Sequence, residues 1–295
     1  MNNSNNMSIR LKIEGNAFNN GYDLHLTLDI LKNFEEMLDK AYGVITNKKK
    51  ITERDREIYK IKTIDIKHGS FIGDFEIYIA TAIQLALPFV CQYKPNELWE
   101  MVKNGFELAK LLFTAESENK EVKIEQGEDG DTMFVHIQGN DNCTINVTRN
   151  TYIYASKALE NYQRLAEKID GLDTEQITLA EIAAHKIEPK IVIDKKTKEI
   201  FKNKSKVEEK AINIVGRIFK IDVDEKQGKI EIIDAENKEY IGQEFNFKTN
   251  NDFIAIDDLC GCINKPTKFN ALKKVCRDPF TQEEKIECLI LINIE

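Results

Sequence analysis

The chain has 295 residues, 42% of them hydrophobic and 31% charged, a composition typical of a soluble globular protein. This length suits two domains. The formal net charge of −8 disfavours a general nucleic-acid-binding protein, because such proteins draw their affinity mainly from Lys and Arg on phosphate. The polar N-terminus has no apolar core, so we expect no signal peptide, residues 1–7 disordered, and a cytoplasmic protein with reduced cysteines.

The first predicted elements are a strand and an amphipathic helix. Residues 9–14 alternate between apolar and charged side chains, which is the period of a half-buried strand. Apolar residues then recur every three or four positions over residues 28–45. This spacing predicts a helix with one apolar face, capped by Asp23 or Thr27.

A basic segment follows between residues 48 and 67. It sets eight positive charges against four acidic residues, a local basic excess in an acidic chain. The positions to which we assign a possible partner-binding role are Lys48, Lys49, Lys50, Arg54 and Arg56. Two interpretations stand: a solvated helix start and strand face, or a contact with phosphate or an acidic partner.

Residues 58–93 form the most apolar stretch of the chain. Alternation on either side of Gly69 is typical of a β-hairpin. The apolar run over residues 77–91 has about 15 residues, short of the roughly 20 that span a bilayer, and Pro88 interrupts it. We therefore expect it to form core and not a membrane span.

The middle of the chain alternates helices with short strands. We predict helices over residues 95–113, with Trp99 on the apolar stripe, and over residues 151–169. The predicted strands are 122–125, 133–137, 143–147 and 191–193. The charged segment 195–206 is interpreted as an exposed turn and linker, with a domain boundary near Ser205.

The C-terminal region has the clearest pattern. Its predicted strands are 210–222, 229–234, 239–247, 267–276 and 285–294. A short helical segment precedes the fourth strand, so the order is three strands, a helix and two strands, which is the element order of an OB-type barrel. Gly216 predicts a bulge in the first strand. The fold class is therefore α+β: an N-terminal β-hairpin and meander sheet with amphipathic helices over residues 8–205, and a C-terminal OB-like small β-barrel over residues 206–295. From residue 207 onward 13 Lys and Arg face 18 Asp and Glu, so direct nucleic-acid binding is not expected.

Four cysteines lie close together in sequence: Cys260, Cys262, Cys276 and Cys288. Thiolates bind zinc, but structural zinc sites usually use two cysteines separated by two to four residues, which a C-x-C pair does not match. Zinc binding, a redox or intermolecular thiol, and a plain buried or interface cysteine stay open. We expect Phe253, Ile256, Cys260 and Cys262 to plug the barrel, to expose one edge to a partner, or both.

No catalytic signature is present. The four histidines His25, His68, His136 and His185 share no metal-ligand spacing, and neither a phosphate loop nor a nucleophile elbow occurs. Glu121 and Lys123 have the E-x-K form of a metal-dependent nuclease, but the nearest upstream aspartate, Asp74, precedes an entire predicted helix. We therefore expect no enzymatic activity, no cofactor and no metal.

The N-terminal pattern consists of the segment RLKIEGN, an amphipathic helix and the segment KITERDREIYKIKTIDIKHGSFIGDFEI. It resembles that of uncharacterised bacterial and prophage proteins with a GSF-type hairpin. The length, the Asn-, Lys- and Ile-rich composition and the cysteine-bearing C-terminal region are similar to the phage-encoded inhibitors of the Gabija antiviral system. This resemblance implies a non-enzymatic oligomer that binds the Gabija nuclease complex and prevents DNA engagement. The alternatives are a nucleotide- or nucleic-acid-binding module, using the basic segment or the barrel, and a metal-dependent nuclease.

Overall fold

A computed structural model describes residues 6–19, 21–67, 70–79, 93–139, 143–183, 186–202, 205–249 and 253–295. The chain divides into two compact units, residues 1–202 and residues 203–295. Each unit has its own sheets and its own buried core. The α+β class predicted from the sequence is confirmed.

The first unit contains five helices and eight strands among its described residues. The helices are α1 (Leu24–Ile45), α2 (Glu53–Ile58), α3 (Pro95–Ser117), α4 (Arg149–Glu167) and α5 (Lys195–Phe201). The strands are β1 (Asn6–Glu14), β2 (Tyr59–Lys67), β3 (Phe71–Ile79), β4 (Val122–Gln126), β5 (Thr132–Ile137), β6 (Cys143–Thr148), β7 (Gln176–Ala183) and β8 (Lys186–Ile193). They form a five-stranded antiparallel sheet in the order β2-β3-β1-β7-β8 and a three-stranded sheet in the order β4-β5-β6.

The five-stranded sheet buries one face under helices. Ile9, Leu11 and Ile13 on β1 are fully buried, because alternate side chains of a strand point to the same side. The ring centroids of Phe34 on α1 and Phe75 on β3 lie 5.2 Å apart. On the other face of the sheet β1 carries Ser8, Arg10, Lys12 and Glu14, as an antiparallel sheet with one solvated side allows.

One part of the N-terminal prediction needs correction. Strand β1 begins at Asn6, so the disorder expected for residues 1–7 does not hold for Asn6 and Met7, and residues 1–5 lie outside the described residues. Met7 is ordered because it pairs with Ile77 of β3 and is 7% exposed. The hairpin of β2 and β3 is confirmed.

The apolar run predicted as core continues beyond β3, and its residues 80–91 lie outside the described residues. No helix in the part of the chain that is described is long and apolar enough to cross a bilayer.

The segment predicted as an exposed linker is instead mostly helix α5. Asp194 caps this helix by accepting a hydrogen bond from the main-chain N–H of Thr197 at 2.8 Å. Phe201 at its end is 3% exposed, and its ring centroid lies 5.6 Å from Phe106 and 5.4 Å from Phe113 of α3. A single buried aromatic side chain therefore anchors a segment that is charged in sequence.

The second unit is a closed five-stranded barrel, which confirms the OB-like prediction. Its elements are β9 (Ser205–Val207), β10 (Ile212–Asp222), β11 (Gln227–Ala235), β12 (Glu244–Lys248), α6 (Ile256–Gly261), β13 (Pro266–Arg277) and β14 (Glu284–Ile294). The barrel order is β10-β11-β12-β14-β13, closed by pairing of β13 with β10, and β12 and β14 are parallel. The predicted bulge in β10 is present, with a register shift between Val215 and Gly216.

Candidate functional site

A basic pocket opens on the surface of α1, α2 and α4 and has a volume of about 400 Å³. Its lining comprises Glu36, Asp39, Lys40, Gly43, Lys48, Lys49, Lys50, Ile51, Arg56 and Lys157. Six of these side chains are cationic and two are carboxylates. The structure thus brings four of the five basic positions selected from the sequence into one pocket, whereas Arg54 is exposed on α2 outside its lining.

The turn after α1 places the lysines. Asn47 adopts a left-handed backbone with φ of 53°, a conformation that asparagine tolerates better than most residues. The main-chain N–H of Lys48 then donates to the carbonyl of Gly43 at 2.7 Å. A Cβ on Gly43 would lie 3.0 Å from the carbonyl oxygen of Lys48, so a glycine at this position lets the chain fold back over the helix end.

Asp55 lies beneath the pocket and is 1% exposed. It forms a capping box at the start of α2, accepting from the main-chain N–H and the hydroxyl of Thr52 at 2.9 and 2.7 Å, and it forms an ion pair with Lys48. Burial alone would raise the pKa of the Asp55 carboxyl, but these donors hold it below the ordinary value. Asp55 is therefore a structural anion that fixes Lys48.

Arg56 is also held by carboxylates. Its Nη1 donates to Oδ1 of Asp39 at 2.8 Å, and its Nη2 lies 3.2 Å from Oε1 of Glu35. Burial raises the pKa of Asp39 above its ordinary value, although Arg56 opposes that shift. The guanidinium carbon also lies 5.7 Å from the ring centroid of Tyr59. Arg56 is thus fixed in place on one side of the pocket.

Lys40 connects the pocket to a buried polar contact between α1 and α4. Its Nζ donates to Oδ1 of Asn161 at 2.5 Å. Asn161 is fully buried and donates to Oδ1 of Asn33 at 3.1 Å and to Oε2 of Glu36 at 2.8 Å. Burial lowers the pKa of Lys40. Sequence analysis missed Lys40, which lies on α1 before the turn to the basic segment. It also missed Lys157, which only the packing of α4 on α1 brings to that segment.

Three lysines of the pocket remain. Lys49, Lys50 and Lys157 are exposed, and none forms an ion pair within the described residues. Their ammonium groups are available to an incoming anion, whereas Lys48 and Arg56 already have carboxylate partners. The arrangement can therefore bind a carboxylate-rich or phosphate-bearing group through the three unpaired lysines, while Lys48 and Arg56 are held in place by their carboxylate partners.

The C-terminal positions selected from the sequence lie in the second unit. Ile254, Leu259 and Cys262 belong to the buried barrel core, and Ile256 packs against that core. Phe253 is 50% exposed and Cys260 is partly exposed. The segment therefore plugs the barrel through most of its apolar side chains and exposes Phe253.

The cysteines and the candidate nuclease residues form no recognisable site. All five cysteines in the described part of the chain are free thiols. Asp74 forms an ion pair with Arg10 at 2.6 Å, and Lys123 forms one with Glu125 at 2.5 Å. Across the described ranges, no group of three or more His, Cys, Asp and Glu side chains is placed to hold a metal ion.

Comparison with known proteins adds no relative: no family model, no curated protein and no solved structure matches the chain. The function is therefore inferred from the residues of this chain.

Proposed function

We propose that the protein is a non-enzymatic binding protein that attaches through its basic pocket to an acidic surface of a folded protein partner. The resemblance to phage inhibitors of the Gabija system points to that bacterial nuclease complex as the partner. The expected effect is that the bound protein blocks access of the nuclease to DNA.

The observation that carries this proposal is the set of three lysines without carboxylate partners in the basic pocket. Lys49, Lys50 and Lys157 converge on one depression, although the chain as a whole has a net charge of −8. An acidic partner is repelled by the net negative charge of the chain and attracted at this pocket. Such local complementarity orients an encounter and excludes other approach directions.

The test is binding to the purified Gabija nuclease complex, followed by co-elution in size-exclusion chromatography and by DNA cleavage. The wild-type protein should co-elute and inhibit cleavage. A variant with Lys49→Glu, Lys50→Glu and Lys157→Glu should lose about tenfold or more in affinity, because attraction becomes repulsion at each contact.

A matched control keeps the same change in net charge. Lys195, Lys206 and Lys268 are exposed, have no ion pair in the described ranges, and do not line the pocket. Their triple change to Glu should leave binding unchanged. Equal losses in both triple variants would show a dependence on net charge alone and would overturn the assignment to the pocket, and absence of wild-type binding would overturn the proposed partner.

A second candidate function is favoured by one surface of the barrel. Lys220, Lys229 and Lys248 line a depression of about 380 Å³ together with two carboxylates, Asp222 and Glu287. None of the three lysines forms an ion pair in the part of the chain that is described. Lysines on an OB-like barrel suit the backbone of a single-stranded nucleic acid.

Fluorescence anisotropy with a labelled single-stranded oligonucleotide separates the two candidates. Under the first proposal the oligonucleotide binds weakly at moderate salt, and Lys229→Glu leaves inhibition of the nuclease unchanged. Tight binding that Lys229→Glu removes would make nucleic-acid binding the better description.

A further inference from the structure

A groove lies between helix α3 and strand β6, with a volume of about 610 Å³. Leu108 and Leu111 of α3 form one wall, and Ile145 and Val147 of β6 form the other. Leu108 is 3% exposed, whereas the other three are partly exposed. The groove does not include any residue of the basic pocket.

Strand β6 is one of the two outer strands of its sheet. It pairs with β5 in a regular antiparallel register from Thr132↔Thr148 to Ile137↔Cys143. The main-chain N–H of Arg149 donates to the carbonyl of Asp131. The main-chain N–H and C=O groups of the odd-numbered residues of β6 therefore point toward β5, because residue pairs of an antiparallel ladder alternate between hydrogen-bonded and non-hydrogen-bonded positions.

It follows that Thr144 and Asn146 direct their main-chain N–H and C=O groups away from β5. Within the described ranges these groups have no main-chain partner outside the sheet. They are therefore available to an additional strand.

The other outer strands carry the features that prevent such pairing. Strand β2 has lysines at 60, 62 and 67 and a bulge, and β8 contains Pro189 among charged residues. Strand β4 carries Lys123 and Glu125. Strand β6, with the sequence CTINVT, has no charge, no proline and no register shift. Lys, Pro and bulges are the usual protection of sheet edges, and β6 lacks all three.

We propose that β6 binds an extended segment of a protein partner by strand addition. This segment has an uncharged centre and one charge of each sign at its ends, and its alternate side chains lie in the groove. Directly opposite residues on neighbouring strands point to the same side of a sheet. Alternate side chains of the added strand would therefore lie beside Ile145 and Val147, above Leu108 and Leu111.

Charge supports this occupant. Strand β6 has no charged residue, and the centre of the added segment has none either. Burying the two against each other therefore requires no charged group to lose its water. Glu107 and Lys110 lie on the helix side of the groove, one of each sign, and match a segment with one cation and one anion at its ends. Strand addition of this kind takes affinity from main-chain hydrogen bonds and specificity from alternate side-chain pockets.

The probe is a fluorescein-labelled peptide of alternating threonine and valine, with glutamate at one end and lysine at the other, titrated into the full-length protein. We expect saturable binding that is lost when all central residues of the peptide, threonines and valines alike, are N-methylated. Asn146→Pro should weaken binding about tenfold, since it removes a donor at the open edge and hinders pairing beside it.

Two further variants keep the test decisive. Asn146→Ala retains the N–H and should weaken binding less than Asn146→Pro does, and Leu111→Glu should weaken binding through the groove and not through the edge. Absence of wild-type binding at millimolar peptide, or equal binding by Asn146→Pro, would overturn the proposal. A large fall in the melting temperature of Asn146→Pro without peptide would also overturn it, because the edge would then be paired within the chain. Light scattering measures the molar mass in solution and so tests whether a second copy of the chain occupies the edge. A dimer that Asn146→Pro converts to a monomer would overturn the proposal of a separate protein partner.

Discussion

The two compact units use charged and polar side chains differently. The buried polar and charged residues of the first unit include Asp55 and Asn161, whereas Thr249 is the one buried polar residue among those described in the second. The barrel is closed by strand pairing around an apolar core, so its charged side chains stay at the surface. In the first unit the role of a charged residue depends on whether it has an ion-pair partner. Asp55 and Arg56 are paired and have a structural role, whereas Lys49 is unpaired and available for binding.

The largest expected effect concerns the apolar core of the barrel. Phe247 is fully buried there, so Phe247→Ala should destabilise the second unit by about 3–5 kcal/mol through the cavity it leaves. Urea unfolding followed by circular dichroism measures this loss. Trp99, the single tryptophan of the chain, is buried in the first unit, and its fluorescence transition should keep its midpoint. A common shift of both transitions would contradict independent unfolding of the two units.

The next effect tests buried charge in the first unit. Asp55→Ala removes the ion-pair partner of Lys48 and the capping box of α2. The free energy of unfolding should fall by about 1–2 kcal/mol, because α2 loses its capping box and the hydrogen bonds from Thr52 to the Asp55 carboxylate. Trp99 fluorescence during urea unfolding reports this change. In the barrel, Asp234→Ala removes the exposed pair with Lys238 and should have no measurable effect.

The fold was predicted from sequence to a large extent because its signals are local. Apolar alternation marked the hairpin and the barrel strands, and the order of elements was sufficient for the OB-like assignment. Helix α5 was missed because its lysines dominate the composition, while its one deeply buried aromatic residue, Phe201, gives no periodic pattern. Asp194 three residues before Thr197 is the cap signal that marks its start.

The candidate site was predicted only in part. The lysines at 48–50 and Arg56 are close in sequence, so their charge excess was visible. Lys157 joins them only through the packing of α4 on α1, which no local pattern encodes. The sequence also did not separate paired from unpaired cations, since the ion pair of Arg56 with Asp39 spans two helices.

A smaller effect should appear in the pH dependence of the first unit. The pKa of Asp55 is lowered in the folded protein, so its stabilising contribution is present above the unfolded value and is lost as pH falls below about 4 through the folded value. Asp55→Asn should flatten the dependence of the Trp99 unfolding midpoint on acid pH. An unchanged slope would show that other carboxylates control acid unfolding.

The smallest effect concerns helix α5. Asp194→Ala removes the N-cap of this helix and should cost about 1 kcal/mol. Lys195→Ala, one residue further on and exposed, should leave stability unchanged. Both are measured by thermal unfolding. Equal stability of the two variants would indicate that the packing of Phe201 alone holds the segment.

The exposure of the cysteines has a practical consequence. Cys143, at the first position of β6, is the one exposed thiol among those described, whereas Cys262 and Cys288 are buried. Burial raises the pKa of Cys288, which reduces the fraction of reactive thiolate. A brief treatment with a maleimide dye should therefore label Cys143 well before Cys262 or Cys288. The chain thus carries a natural attachment point for a fluorophore at the edge of its small sheet.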